Sequence, residues 1–227
     1  ILRPLNGAIA MLALLAAAIV SGFYLPAPIA IAAAVVFLQS GAGMVANDYF
    51  DYAIDKINRP ERPIPSGKIS KRAARLYAAG LFAASIVLCI FLNPYMLALA
   101  CLNTLVSFVY SYRLKRSVFG NWMVSWMSAS VFLFGGLLSS VGALIIIIFT
   151  MSFAGSMGRE LTKAIEDMPG DKKAGAKTFP IIAGPQLAAW LAAFFIFFAV
   201  LFSFLPYAFG LLNAYYLYLI IPADAAA

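Results

Sequence analysis

Charged residues are confined to three short clusters, and this distribution constrains the fold more than any other feature of the sequence. Apart from Arg3 and Asp224, all of them lie within residues 48–75, 113–116 and 159–177. The four stretches between the clusters, 4–47, 76–112, 117–158 and 178–223, are uncharged and 37–46 residues long. A membrane-spanning helix needs about 20 apolar residues. Each stretch therefore predicts two spanning helices joined by a short turn.

Composition agrees with a membrane protein. Hydrophobic residues make up 64% of the chain, charged residues only 11%, and the mean hydropathy is +0.93. Soluble domains are about 45–50% apolar and about 25% charged, and disordered chains have low hydrophobicity and high charge. We predict an all-α, polytopic membrane helix bundle of eight spanning helices. A ninth in the complete protein is the alternative, since the chain begins at Ile1 rather than Met and ends in three alanines.

Turn residues near the middle of each uncharged stretch support this division. They are Ser21-Gly22 to Pro28, Asn93-Pro94, Gly135-Gly136 to Gly142, and Pro206 to Gly210. Two crossings return the chain to the side it left, so the three clusters and both ends should share one face. The clusters carry 15 Lys and Arg residues and the opposite turns carry none. The positive-inside rule makes that face cytoplasmic, so we expect a multi-pass protein of the cell membrane.

Several functional classes are excluded. The chain has no histidine, so it has no Ser-His-Asp triad, no His-liganded zinc and no imidazole proton shuttle. Its cysteines, Cys89 and Cys101, form no CxxC pair and are typical of small core residues. The net charge of +7 follows from topology and does not indicate nucleic-acid binding. We expect no nucleic-acid partner and no obligate protein partner; the lipid bilayer is the expected surrounding.

The first acidic motif follows the second apolar run. Its oxygen-bearing side chains are Asn47, Asp48, Asp51 and Asp55. At 100° per residue all four share about one quarter of the circumference of a helix. Like charges at this spacing repel by about 0.2–0.5 kcal/mol per pair in water and by more near a membrane interior. The pattern therefore predicts a bound cation, and oxygen-only ligands favour Mg²⁺ or Ca²⁺.

The second acidic motif follows the sixth predicted span. Arg159, Lys163 and Asp167 are four residues apart, which places them on one helix face. Pro169-Gly170 should end the helix near Asp167, so we expect Asp171 to reach back from a loop.

Together the two motifs indicate an internal repeat. Asp51 and Asp167 are 116 residues apart, and each motif follows a helical hairpin and one further span. We predict two pseudo-repeated four-helix halves around a central cavity, within one domain covering residues 1–227. Two facing carboxylate groups rimmed by Arg and Lys suit a diphosphate whose oxygens are bridged by two divalent cations.

These motifs resemble the UbiA superfamily of intramembrane prenyltransferases. The resemblance rests on Asn47-Asp48, Asp51 and Asp55, continuing through Arg59-Pro60-Glu61-Arg62-Pro63-Ile64-Pro65-Ser66-Gly67, and on Asp167 and Asp171. It covers nearly the whole chain. Members usually have nine membrane helices, one more than the eight predicted here.

The resemblance implies a reaction and a set of site residues. Asn47, Asp51 and Asp55 would hold one Mg²⁺ and Asp167 and Asp171 a second, both bridging the diphosphate of a prenyl donor. Asp51, Asp55, Asp167, Asp171 and Lys115 are the expected catalytic residues. Lys115 would contact phosphate. The family pattern places a tyrosine four residues before this lysine, but this chain has none at that position. The expected substrate-binding residues are Arg3, Asn47, Asp48, Arg59, Arg62, Lys68, Arg159 and Lys163.

The acceptor is less constrained by the motifs. The stretch 159–180 resembles the archaeal ether-lipid members of the superfamily, which implies a lipid phosphate acceptor, geranylgeranylglyceryl phosphate, and a geranylgeranyl donor. The first motif is shared with chlorophyll synthases, so an aromatic or tetrapyrrole acceptor is the alternative. A transporter is a more remote alternative. Transporters usually carry ionisable groups within their spans, whereas the predicted spans of this chain are uncharged. A CDP-alcohol phosphotransferase is equally remote, since its DGxxAR signature is absent.

Overall fold

The computed structural model describes residues 3–225, which are almost entirely helical. Within this range the only β-type pairing is a single bridge between Ser117 and Lys177. The helices are α1 (Pro4–Val20), α2 (Pro26–Phe50), α3 (Tyr52–Asn58), α4 (Lys71–Cys89), α5 (Pro94–Val109), a π-helical turn (Tyr110–Leu114), α6 (Gly120–Gly136), α7 (Ala143–Glu166), α8 (Met168–Lys173), α9 (Phe179–Ala183), α10 (Pro185–Ser203), α11 (Leu205–Ala208) and α12 (Tyr215–Ala225).

The first three uncharged stretches each fold as a pair of long helices with the break where the turn residues predicted it. Proline begins both α2 and α5, where its missing N–H is no loss because the first turn has no partner for it. The Asn93 side chain also caps α5 by accepting the Met96 N–H at 2.9 Å. Local turn chemistry is therefore sufficient to place these breaks.

Among residues 3–225, five helical segments are long and apolar enough to cross a membrane. They are Pro26–Phe50, Lys71–Cys89, Pro94–Leu114, Ala143–Glu166 and Pro185–Ala208. Two more, α1 and α6, are apolar helices of 17 residues, about 25 Å long. The predicted all-α membrane bundle is thus confirmed as a fold class.

The fourth uncharged stretch differs from the predicted pair of spans. Ser203 ends α10; its hydroxyl donates to Asp224 at 2.6 Å, and its carbonyl accepts from the Tyr216 hydroxyl at 3.0 Å. Both ends of α12 therefore lie beside the same end of α10. With 11 residues, α12 is about 16 Å long, roughly half of the hydrocarbon thickness. As far as the structure describes the chain, α12 does not return to the level of the charged clusters.

The helices group into two compact units. Unit 1 comprises Ile1–Leu114 with Phe134–Ser140, and unit 2 comprises Lys115–Leu133 with Val141–Ala227. The main boundary falls within the second charged cluster, which is where the sequence predicted the end of the first half. The core of unit 1 includes Val45 and Ala46 of α2 against Ala74 and Ala78 of α4.

Small residues let the helices of unit 2 approach closely. Met157 and Leu161 of α7 pack with Ala192 of α10 in a buried cluster. A Cβ atom at Gly158 would lie 2.5 Å from Ile196 Cγ1 and 3.1 Å from the Ala192 carbonyl oxygen. Glycine is therefore required at this crossing, as is common between membrane helices. The crossing anchors the half of α7 that leads to the second acidic motif.

Candidate active site

The first acidic motif lies at the junction of α2 and α3, in unit 1. The helical path is nearly continuous: the Asp51 N–H donates to the Asn47 carbonyl and the Asp55 N–H to the Asp51 carbonyl, both at 2.9 Å. Asp48 and Asp55 are buried, whereas Asn47 and Asp51 are half-buried. This path confirms the helical spacing on which the sequence argument relied.

A guanidinium group lies between two of these carboxylates. Arg62 Nη1 is 2.6 Å from Asp55 Oδ2 and 3.4 Å from Asp48 Oδ1. Burial by itself lowers the pKa of Arg62, but the hydrogen bond and charge of Asp55, together with the charge of Asp48, outweigh it and raise this pKa. Arg3 adds a second cation, 3.8 Å from Asp48 Oδ1. The cation that the clustered carboxylates predicted is thus provided in part by the protein itself.

The segment after α3 is folded so that it presents Arg62 to the motif. The Ser66 N–H donates to the Arg62 carbonyl at 2.9 Å, and the Ile69 N–H donates to the Pro63 carbonyl at 2.9 Å. Ile64 is buried in the cluster formed by α2 and α4. Gly67 has a φ of +78°, a conformation that glycine adopts without strain. This compact turn explains why the Pro-Ile-Pro-Ser-Gly sequence follows Arg62.

The other basic residues of the first cluster point elsewhere. Arg59 and Lys68, both predicted to bind substrate, are exposed. Lys71, which the sequence argument did not select, lies 5.0 Å from the ring centroids of both Tyr49 and Tyr52. Such cation–π contacts hold the start of α4 against the α2–α3 junction. No sequence signal pairs these residues, because the contact depends on how α4 packs against α2.

Aromatic rings cover another side of the junction. Phe50 makes edge-to-face contacts with Phe108 and Tyr112, at centroid separations of 5.7 and 5.5 Å. Phe108 and Tyr112 stack at 5.9 Å. Tyr112 belongs to the π-helical turn that ends α5, and such turns are frequent at functional sites. The cluster thus joins the end of α2 to the turn that precedes Lys115.

The second acidic motif lies at the junction of α7 and α8, in unit 2. As predicted, α7 ends just before Asp167. The expectation that Asp171 lies in a loop is wrong: Asp171 belongs to α8, and its N–H donates to the Asp167 carbonyl at 3.0 Å. Pro169 stands at the start of α8, where a missing N–H is tolerated. Pro169 therefore begins a new short helix directly after α7, where a loop was predicted.

Basic residues of the second cluster lie beside this motif. The Lys177 N–H donates to the Arg116 carbonyl at 2.9 Å, which ties the segment before α6 to the segment after α8. Burial raises the pKa of Asp171, and the charge of Asp167 raises it further. The charges of Arg116 and Lys115 partly oppose this shift. Lys115, selected from sequence, is thus close enough to act electrostatically on Asp171.

The remaining residues predicted to bind substrate lie on the exposed side of α7. Arg159 is exposed and donates to Glu160 Oε1 at 2.9 Å. Lys163, one turn later, is also exposed. The structure therefore pairs Arg159 with its chain neighbour Glu160.

The side-chain oxygens of the two motifs fit a metal ion whose coordination is completed by the substrate. Among residues 3–225, no three carboxylate, thiol or imidazole side chains converge on one point, so neither motif is a protein-only cage. Mg²⁺ is typically held by one or two carboxylates, with water and substrate phosphates filling the other positions. Asn47, Asp51 and Asp55 in unit 1 and Asp167 and Asp171 in unit 2 provide oxygen ligands of this kind.

Comparison with known proteins gives extensive matches. The model of the UbiA prenyltransferase family matches residues 8–227. A digeranylgeranylglyceryl phosphate synthase from Methanopyrus kandleri is 38% identical over 224 residues, covering 98% of this chain and 83% of the relative. A synthase of the same name from Methanococcoides burtonii is 43% identical over 194 residues, covering 84% of this chain and 69% of the relative.

Solved structures match the whole described fold. A digeranylgeranylglyceryl phosphate synthase structure superposes with a TM-score of 0.88 at 35% identity, covering 99% of this chain and 81% of that one. A UbiA homologue from Archaeoglobus fulgidus, bound to GPP and Mg²⁺, has a TM-score of 0.73 at 22% identity, covering 99% and 82% of the two chains. Because its sequence identity is only 22%, the second match supports the fold alone.

Proposed function

Because the chain belongs to the UbiA prenyltransferase family, we propose that it transfers a geranylgeranyl group from its diphosphate to the free hydroxyl of geranylgeranylglyceryl phosphate. The observation that carries this choice is the 38% identity, over 98% of the chain, to a relative named for that product. The two carboxylate motifs support the reaction class, since a departing diphosphate needs concentrated positive charge.

Each motif would hold one metal ion of the donor complex. Asn47, Asp51 and Asp55 would hold one Mg²⁺, and Asp167 and Asp171 would hold a second. Bound Mg²⁺ neutralises the diphosphate and makes it a better leaving group. Lys115, beside Asp171, contacts a phosphate oxygen and stabilises the charge that develops as the C1–oxygen bond breaks.

Tyr110 is the tyrosine partner of Lys115 in this proposal. The family pattern separates the two residues by four positions, which suits an α-helix, whereas Tyr110 stands five positions before Lys115. The intervening segment Tyr110–Leu114 is π-helical, and a π-helix connects residues five apart. A wider turn of this kind would accommodate the extra residue between the tyrosine and the lysine.

The acceptor carries its own phosphate, which needs a further cation. Arg3, Lys68 and Arg116 are the candidates, and the exposed Arg59, Arg159 and Lys163 add positive charge that would attract both anionic substrates. The attacking alcohol is a weak nucleophile, so it attacks when C1 has become strongly cationic. Little general-base assistance is then needed, in agreement with a chain that has no histidine.

The proposal places this chemistry on the cytoplasmic side of the membrane. The supporting observation is the 15 Lys and Arg residues of the charged clusters and the positive-inside rule. Prenyl chains lie among the apolar helices, and the polar groups of both substrates meet the basic clusters.

The test is a competition between acceptors. Purified protein receives geranylgeranyl diphosphate, Mg²⁺, and geranylgeranylglyceryl phosphate together with 4-hydroxybenzoate, and the products are identified by mass spectrometry. We expect the diether phosphate and release of one diphosphate per product. Prenylation of the aromatic ring without the diether phosphate would reject the acceptor assignment and retain the reaction class.

A further inference from the structure

We infer that Arg62 is the resident counter-ion of Asp55 and gives up this carboxylate when the metal and the diphosphate bind. The inference rests on the proposed function, in which Asp55 is a metal ligand. Its observation is the ion pair between Arg62 Nη1 and Asp55 Oδ2 at 2.6 Å. Only 18% of the Arg62 side chain and 9% of the Asp55 side chain are exposed, so solvent screens this pair little.

Arg62 is built to stay near the motif while changing partners. Its second contact, 3.4 Å to Asp48 Oδ1, is longer than the contact with Asp55. Asp48 also lies 3.8 Å from Arg3. Asp48 therefore anchors two guanidinium groups at the end of α2, and it can retain Arg62 after Asp55 is released. This assigns Asp48 a positioning role rather than a metal-binding role.

The contact with Asp55 disfavours a bare divalent cation on the same carboxylate. A metal bound to Asp55 would bring two positive charges next to the guanidinium, in surroundings of low dielectric constant. A diphosphate removes this conflict, since it supplies negative charge between the cations. The planar guanidinium fork also matches phosphate oxygens. Arg62 therefore exchanges the Asp55 carboxylate for a phosphate oxygen as the donor arrives.

A thermodynamic consequence follows from this exchange. Metal alone binds weakly, because it must displace or repel Arg62. Metal and diphosphate bind with positive coupling, because each relieves a cost that the other faces. Free Mg²⁺ therefore binds weakly to this site, and the metal binds mainly together with the diphosphate substrate.

The experiment measures binding of Mg²⁺ alone to the full chain in detergent, by calorimetry and by the shift in melting temperature. It compares wild type, Arg62→Gln and Lys56→Gln. Lys56 is exposed and adjacent to Asp55 in sequence. Lys56→Gln therefore removes one positive charge, as Arg62→Gln does, but keeps the Arg62–Asp55 ion pair. We expect Arg62→Gln to bind Mg²⁺ about tenfold more tightly, and Lys56→Gln less than about twofold.

A second variant, Arg62→Lys, controls for misfolding of Arg62→Gln. Arg62→Lys keeps the charge, so its Mg²⁺ affinity should stay within about threefold of wild type, whereas its KM for geranylgeranyl diphosphate should rise because the guanidinium fork is lost. Unchanged or weaker Mg²⁺ binding in a folded Arg62→Gln protein would overturn the counter-ion role. Absence of prenyl transfer in wild type would instead overturn the proposed function, and the Mg²⁺ comparison does not depend on it.

Discussion

Lys177 and Arg116 are joined by a backbone hydrogen bond of 2.9 Å, although 61 positions separate them in the chain. The bond brings the second charged cluster alongside the end of the third. Arg116 and Lys115 then act electrostatically on Asp171. The short loop that contains Lys115 and Arg116 thus contributes positive charge at a carboxylate of the second motif.

The pH dependence of Asp171 follows from this arrangement. Its pKa is raised in the folded protein, chiefly by burial. The folded state therefore holds this proton more tightly than the unfolded state, and the carboxyl group's contribution to stability falls as the pH rises from 3.8 through the raised value.

Arg116→Gln should move the acidic limb of the kcat/KM profile toward higher pH. The reason is that it removes a charge that lowers the Asp171 pKa. Profiles of wild type and of Arg75→Gln, a matched charge loss on α4, provide the comparison. An unmoved or downward-shifted limb would contradict a role for ionised Asp171.

Asp51→Asn and Asp167→Asn should each reduce kcat by about 100-fold or more, since each removes a proposed metal ligand. Melting temperature and elution volume should remain near those of wild type. The Mg²⁺ concentration needed for half-maximal rate should rise in both variants. Activity close to wild type in either variant would argue against a two-motif site.

Gly158→Ala should destabilise the protein by about 1–3 kcal/mol through overpacking. The added Cβ would lie 2.5 Å from Ile196 and 3.1 Å from a backbone oxygen. Gly155→Ala is the control, because its nearest neighbour would be Ala199 Cβ at 4.0 Å. Thermal or denaturant unfolding in detergent measures both, and equal effects of the two substitutions would be inconsistent with the α7–α10 crossing.

The far end of α10 gives a topological test within unit 2. In a background in which both native cysteines are alanine, Lys173→Cys and Tyr218→Cys should label from opposite sides of the membrane. Residue 173 lies in the third charged cluster, whereas Tyr218 lies in α12 and is 76% exposed. Labelling of both from one side would restore the predicted return of the chain through α12.

Asp224→Asn should leave kcat within about twofold of wild type, because an amide oxygen can still accept the Ser203 hydrogen bond. Asp224→Ala removes this acceptor, but the Ser203 hydroxyl keeps the Val200 carbonyl at 2.7 Å, so the loss of stability should be only about 0.5–1.5 kcal/mol. Prenyl-transfer rate and melting temperature measure the two effects. Loss of turnover in Asp224→Asn would indicate that α12 influences the site.

Much of the helical framework could be predicted from sequence because its signals are local. The uncharged stretches are long enough for pairs of helices, and residues such as Pro26 and Asn93 place helix starts by their own chemistry. The α2–α3 path was predictable for the same reason, since the spacing of Asn47, Asp51 and Asp55 is meaningful only on a helix.

Predictions failed where local rules allowed two outcomes. Pro169 can end one helix or begin the next, and the structure adopts the second, which places Asp171 in α8. The stretch around Tyr215–Ala225 is apolar like its neighbours, but Ser203 binds both Tyr216 and Asp224, so α12 stays at one end of α10. Hydropathy indicates only whether a segment prefers the membrane, and it cannot predict the hydrogen bonds of Ser203 with Tyr216 and Asp224.

The sequence by itself determined the class of protein, the uncharged stretches that form the long helices, and the carboxylates of the two motifs. Only the tertiary structure decided the partners of the basic residues: Arg62 contacts Asp55 and Asp48, and Lys71 lies over Tyr49 and Tyr52. It also brings Arg116 near enough to affect Asp171. The physical reason is the range of the interactions. Helix periodicity and turn chemistry act over a few residues, whereas an ion pair depends on where packing places two distant segments of backbone.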